Sequence, residues 1–183
     1  MNKYSISKTI VVNKNYILVD NQTFLSLENK EEDFALQAYK SLNIQYPKFY
    51  KMDKMCKWGI ICSFILLNNK ELAHIDSYKK CLVFQNTSSS LLTDKNYQKT
   101  IDTIPSPALF VYTLPNIVMG EIAIKYTLKG ENTFFVSEKK NLDQLFDYSN
   151  SLFENEIAKV CIAAYFEITE NDIDIEMFLL EKK

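Results

Sequence analysis

The sequence contains no arginine: all 21 of its basic side chains are lysines. A guanidinium fork grips a carboxylate or phosphate through two parallel hydrogen bonds, so recognition of that kind is excluded. Glycine is almost as scarce, with Gly59, Gly120 and Gly130 making up the full supply of 3. Phosphate-cradling loops need two or three closely spaced glycines, and no two of these lie nearer than ten residues. There is one histidine, His74, so no histidine pair can share a metal, and the four cysteines at 56, 62, 81 and 161 form no CxxC spacing. No metal and no cofactor is expected. The longest apolar run, Trp58 to Leu67, has ten residues, against about 20 needed to span a bilayer. A net charge of −2 and a pI near 5.5 give no electrostatic case for nucleic acid. The N-terminus lacks the basic, apolar and small-residue regions of a signal peptide, which leaves a cytoplasmic protein with buried, reduced cysteines as the expectation.

What is present is apolar and aromatic. At 47% hydrophobic and 13% aromatic, the 183 residues can bury a substantial core, and residues 1–183 read as a single domain. Tyr4 to Val12 and Tyr16 to Leu27 carry strand-type composition, followed by an amphipathic helix from Glu31 to Leu42. Met52 to Leu67 is apolar on nearly every side and reads as a helix buried against a sheet. Cys81 to Gln85 reads as a strand, Asn86 to Thr93 as a polar loop, and Asp94 to Asp102 as a short helix. Prolines at 105, 107 and 115 bracket an extended Ala108 to Leu114. Pro115 suits the first turn of a helix running to about Thr127, and Gly130 suits a left-handed stop after it. Asn132 to Val136 is a strand, Ser137 or Glu138 opens a helix reaching Glu154, and Lys159 to Phe166 and Ile173 to Leu180 are strands. The order β-α-β-α-β-α-β-β implies one α/β layer structure: a mixed, mostly parallel sheet with helices on both faces and an antiparallel last pair.

That order is the topology of one half of the thiolase fold, and a motif accompanies it. Residues 105–136, PSPALFVYTLPNIVMGEIAIKYTLKGENTFFV, resemble the stretch preceding the nucleophile in β-ketoacyl-acyl-carrier-protein synthases. The resemblance is carried by Leu114-Pro115-Asn116, Gly120, Ile122, Tyr126, Leu128-Lys129-Gly130 and Asn132, in that order and spacing. KMDKMCKWGI at 51–60 is similar to the aspartate-bearing start of the first long helix of that family. The resemblance extends from Tyr50 to Phe166 and points in particular to the short ketosynthase-like proteins of aryl-polyene or flexirubin-type pigment clusters.

The resemblance also implies what is missing. The family places its nucleophilic cysteine at a helix N-terminus, where the dipole favours the thiolate. Counting forward from Asn132, that position falls on Lys139, so the nucleophile position is vacated. The family's catalytic histidines belong to a second half beyond Lys183, and His74 matches neither. No catalytic residue is therefore expected. The helix after Lys139 carries Lys140, Asp143, Gln144, Asp147, Asn150 and Asn155 on its other faces, a surface adapted to water rather than to a covering sheet. Pro115, Asn116, Gly120, Gly130 and Asn132 are expected to serve the fold, with Gly120 allowing close helix packing. Asp53 and Glu121 read as helix-face carboxylates paired with lysines, and Ser88-Ser89-Ser90 as a polar loop. In the family the strand matching Thr133, Phe134, Phe135 and Val136 lies at a sheet edge and pairs with a second subunit, so a dimer through this strand is expected.

The implied function is a catalytically silent ketosynthase-like protein, a chain-length-factor-like subunit in fatty-acid or polyketide-type (polyene pigment) biosynthesis. Its partner would be a ketosynthase or a second copy of itself. Lys139 and Lys140 offer a contact for an acidic acyl carrier protein. Two other readings stay open: a stand-alone acyl or small-molecule binding module, and a small hotdog-type dehydratase or thioesterase using His74. The α/β order disfavours the last.

Overall fold

The computed structural model describes residues 3–26, 33–68 and 72–183. Among these residues seven strands form one sheet: β1 (Tyr4–Val12), β2 (Tyr16–Val19), β3 (Gln22–Ser26), β4 (Lys80–Asn86), β5 (Asn132–Val136), β6 (Val160–Ile168) and β7 (Ile173–Lys182). Six α-helices among them accompany the sheet: α1 (Phe34–Ser41), α2 (Lys54–Leu67), α3 (Leu91–Ile101), α4 (Pro107–Phe110), α5 (Ile117–Tyr126) and α6 (Leu142–Glu154). The strand order is β3-β2-β1-β7-β6-β4-β5. β4 pairs in parallel with both β5 and β6, and β7 lies antiparallel between β6 and β1. Five strands (β1, β3, β4, β5 and β6) thus run one way and two the other.

β4 and β6 are buried along their whole length, because helices cover both faces. One face carries α2, which buries Trp58, Ile61 and Leu66. Its apolar character on every side is explained by its neighbours: the sheet lies beneath it, while α1 and α5 pack around it. Asp53 starts α2 by accepting a hydrogen bond from the Cys56 N–H at 2.9 Å. The other face carries α6, with Leu145, Leu152 and Phe153 packed on Cys81, Val83, Cys161 and Ala163. Asp143, Gln144, Asp147 and Glu154 of α6 stand in water. Among the described residues, no helix is long and apolar enough to cross a membrane.

Several local expectations are corrected. The stretch from Tyr16 is a hairpin, because Asp20 and Asn21 both adopt left-handed φ, 49° and 65°, and turn the chain between β2 and β3. The expected strand end at Leu27 and helix start at Glu31 lie outside the described residues; α1 begins after Asp33, whose carboxylate caps Leu36 N–H at 3.2 Å. The polar loop is shorter than expected, since β4 runs to Asn86 and α3 starts at Leu91. Ala108 to Leu114 is not extended: Ser106 caps α4 and the chain continues in turns. Pro115 lies in the turn before α5, which begins at Ile117 after Asn116. The left-handed stop is Thr127, φ 55°, and no glycine has positive φ.

Candidate functional site

The parallel strands β4, β5 and β6 end together, and in open α/β sheets that end is where ligands and chemistry gather. Here β5 leads through residues 137–141 into α6. The helix does not open at Ser137 or Glu138. Asn141 is its cap, accepting from Gln144 N–H at 3.0 Å, so Lys139 lies two residues outside the helix and is exposed. Its charge therefore stands outside the first turn of α6, where the helix dipole acts.

Lys140 is held rather than solvated. Its ammonium lies 2.7 Å from a Glu176 oxygen and 2.9 Å from Asp174, over the Tyr165 ring at 4.6 Å from the centroid. Burial opposes its charge, but the hydrogen bonds to Glu176 and Asp174 outweigh that and raise its pKa above the ordinary lysine value. Beside it, the buried Gln85 accepts from Asn141 N–H at 2.8 Å and donates to Gln144 at 3.0 Å. The segment 137–141 is therefore fastened to β4, β7 and α6 by side chains.

The serine loop is likewise fastened. Glu167, at the end of β6, accepts from Thr87 N–H at 2.7 Å, Thr87 Oγ1 at 2.5 Å and Ser88 N–H at 3.2 Å, and from the Ser88 hydroxyl. Burial pushes its pKa up, but these donors prevail and the carboxyl ends below its ordinary value. Asn86 completes the loop, donating to Ser89 O at 2.8 Å and accepting from Ser89 N–H at 3.0 Å. Sequence reasoning passed over Glu167; the available signal was a carboxylate closing the otherwise apolar run of β6.

This end of the sheet holds no thiol or imidazole. Cys81 and Cys161 face each other across β4 and β6 beneath α6, Cys56 and Cys62 lie in α2, and all four are buried. Burial raises all four thiols above their ordinary pKa. His74 lines a cleft of about 390 Å³ with Lys159 and Lys182, where β6 begins and β7 ends, at the opposite end of the sheet. Among the described residues, no three metal-ligating side chains converge. A cleft of about 260 Å³ opens between α3 and the β6–β7 turn, floored by Leu91, Leu92 and Ile168.

Gly120 and Gly130 do different work from that expected. Gly120 is exposed and a β-carbon there would meet nothing. The close-packing glycine is Gly59, where α2 meets Val118 of α5. Gly130 is required by contact: a β-carbon would lie 2.7 Å from Lys80 O and 2.9 Å from Tyr78 O. Asn132 donates back to Gly130 O at 3.0 Å. Glu121 is paired with a lysine as expected, Lys48 Nζ lying 2.5 Å away, but it is buried on α5, with Tyr46 OH at 3.4 Å. Asp53 accepts from Thr93 Oγ1 at 2.7 Å as well as capping α2.

Thr133, Phe134, Phe135 and Val136 belong to β5, an edge strand of the sheet. Thr133 meets the Tyr148 hydroxyl at 3.2 Å and Phe135 packs edge-on to the same ring, while Phe134 packs against the α2-side core. Leu82 N–H donates to Glu131 O, and Ser137 N–H to Asn86 O. The alternation of a parallel ladder then turns the peptide groups of Asn132, Phe134 and Val136 outward, away from β4.

No protein-family model and no curated protein sequence matches the chain. Solved structures match in shape. The ishigamide ketosynthase/chain length factor matches 98% of this chain and 62% of its own, with TM-score 0.70 and 14% identity. The ketosynthase ApeO in complex with its chain length factor ApeC, from Xenorhabdus doucetiae, matches 100% and 80%, with TM-score 0.63 and 14% identity. The complex AntDE:AntF, a type II polyketide synthase acyl carrier protein with its ketosynthase, matches 100% and 64%, with TM-score 0.71 and 13% identity. The chain thus spans about three fifths of two of these and 80% of the third. A mixed sheet between helix layers leaves no place for the hotdog alternative, in which an antiparallel sheet wraps one long helix. The fold is the thiolase-type α/β fold of ketosynthases and chain length factors.

Proposed function

We propose that this chain is a non-catalytic, ketosynthase-like subunit of the chain-length-factor kind, a single domain over residues 1–183 that works in the cytoplasm. It docks a ketosynthase through β5 in the assembly of fatty-acid or polyketide-type products, polyene pigments among them. The observation that carries this reading is β5 itself: an edge strand with outward peptide groups and an exposed Val136, in a fold shared with ketosynthase complexes. A bare apolar edge is a hazard that partners or charges ordinarily cover. Two further features support it. Residues 137–141, where the nucleophile would stand, hold Lys139 and a fastened Lys140 instead of a thiol. The outer face of α6 carries carboxylates, and stacking a second sheet on them would cost several kcal/mol per unpaired charge. The chain's role is then non-covalent: it completes an interface and shapes the partner's acyl site. The exposed Lys139 is its contact for an acidic carrier protein, whereas Lys140 is already engaged.

The test is co-expression with the ketosynthase of its own source organism, followed by size-exclusion chromatography with light scattering. A one-to-one complex that condenses acyl groups only through the ketosynthase's cysteine is expected. A chain that stays monomeric alone and with that ketosynthase sinks the reading. The stand-alone binding reading rests on the cleft beside α3 and predicts instead a monomer that takes up a small apolar molecule there.

A further inference from the structure

Three lysines gather at the end of the sheet where β4 and β6 begin and β7 ends. Lys79 precedes β4, Lys159 precedes β6 and Lys182 closes β7. The three strands are neighbours, and their ends are knitted together. Lys159 N–H donates to Lys79 O at 2.8 Å, and Lys182 N–H to Lys159 O at 3.0 Å. Adjacent strands lie about 4.8 Å apart, so three long side chains spring from one fixed row and their ammonium groups can close on a single anion.

One anion is built in. Glu156, in the turn between α6 and β6, receives Lys182 Nζ on its carboxylate and Lys79 Nζ on its main-chain carbonyl, each at 2.5 Å. The hydrogen bond from Lys182 holds that carboxyl below its ordinary pKa, and the charges of Lys79 and Lys159 add to the effect. The backbone there is not shaped for a glutamate. Glu156 has φ 56°, and Ile157 N–H reaches back to Leu152 O at 2.8 Å, a helix stop that glycine or asparagine ordinarily fills. A carboxylate thus occupies a strained position in contact with the lysines.

One carboxylate against three ammonium groups leaves positive charge in excess. The cleft of about 390 Å³ beside them is lined by Lys159, Lys182 and His74, with Ile75 on its wall, while Glu181 and Lys183 add one charge of each sign. Among the described residues, the side chains of Lys159 and His74 have no hydrogen-bonded or salt-bridged partner. Lysine is a compact point charge that binds phosphate well, whereas planar two-pronged recognition belongs to arginine, which this chain lacks. A water molecule takes about 30 Å³ of liquid, so the cleft has room for a phosphate together with a second phosphate or a small organic body.

We infer that this cleft binds a phosphate group, carried by a small phosphate ester or a diphosphate, on Lys159, Lys182 and His74, and that Glu156 competes with it for Lys182. Isothermal titration of the full chain with inorganic pyrophosphate tests the site, with circular dichroism and melting temperature as folding controls. Lys159→Gln with Lys182→Gln changes exposed side chains only and is expected to weaken binding about tenfold or more. His74→Gln is an independent weakening variant should the double substitution fail to fold. Glu156→Gly removes the competing carboxylate, suits the left-handed backbone and is expected to tighten binding severalfold. Lys14→Gln, beyond the opposite end of β1, removes the same charge elsewhere and should leave the affinity unchanged. Vesicles of phosphatidylglycerol in phosphatidylcholine separate the sources of phosphate: sedimentation with them, sensitive to the same variants and without pyrophosphate binding, assigns the group to a lipid headgroup. Wild-type affinity in the double variant, or weaker binding by Glu156→Gly, would overturn the inference, as would a wild-type chain that binds neither probe. The proposed function is decided separately, by the complex with the ketosynthase.

Discussion

A β-carbon on Gly59 of α2 would overlap the Cγ2 methyl of Val118 on α5, so these two helices touch backbone to side chain. Both positions are buried, and neither helix can withdraw without opening the core above the sheet. Gly59→Ala is therefore expected to destabilise the chain by about 1–3 kcal/mol, the usual cost of overpacking, despite alanine's better helix propensity. Urea denaturation checks the loss. Val118→Ala in the Gly59→Ala background should recover part of it, a non-additivity that distant sites would not show.

Gly130 and Gly120 should respond in opposite directions. At Gly130 the obstructing atoms are two backbone carbonyls and Cys81 Sγ at 2.8 Å, none of which is the free end of a flexible chain. Gly130→Ala should cost about 2 kcal/mol or more. Gly120→Ala adds a methyl to an exposed helical position facing open space and should gain about 0.5–1 kcal/mol. Paired thermal melts of the two variants test both signs.

Glu167 makes stability depend on acid. Its carboxylate is buried, which raises its pKa, but the donors from Ser88 and Thr87 lower it further, to below the ordinary value of 4.5. A depressed folded pKa contributes stability that is present above the unfolded value and lost as pH falls through the folded one. Glu167→Gln should cost about 2 kcal/mol at pH 7, because the loop donors lose their charged acceptor. The gap between the two proteins should narrow as pH drops below about 4.5 and close once wild-type Glu167 protonates. Denaturant midpoints taken across that range decide it; a gap independent of pH would contradict the depressed carboxyl.

The thiols should be silent in the native state. Cys56, Cys62, Cys81 and Cys161 are buried and their pKa values are raised by that burial. Titration with Ellman's reagent should find none of the four reacting promptly in buffer and all four in urea. One fast native thiol would reopen covalent chemistry for this chain.

The core of the fold was legible because burial on both faces writes long apolar runs. The strands around Cys81 and Lys159 and the helix around Trp58 follow from such runs, while the strands around Asn132 and Ile173 were read from their β-type composition. Features governed by single backbone angles or single contacts were not legible. Asp20 and Asn21 turn the chain without a glycine, and Thr127 takes the left-handed stop that Gly130 seemed made for. Gly130 answers to carbonyls brought in from residues 78 and 80, a contact invisible along the chain. At the site, the sequence pointed to an absent thiol near Lys139 and to β5. It could not show that Lys140 folds back onto Asp174 and Glu176, since those partners come from a strand more than thirty residues away.

The serine loop locked to Glu167 has a kinetic consequence. Association slows and weakens when a docking surface must first freeze its own loops. Here the rim that links β5 to Thr113 loses that freedom when the chain folds, because Thr87, Ser88, Ser89 and Ser90 are each tied by side-chain hydrogen bonds. For the complex proposed above, the loops of this rim are thus ordered before any encounter, and the rate of its formation should be set by encounter and orientation rather than by rearrangement of this chain.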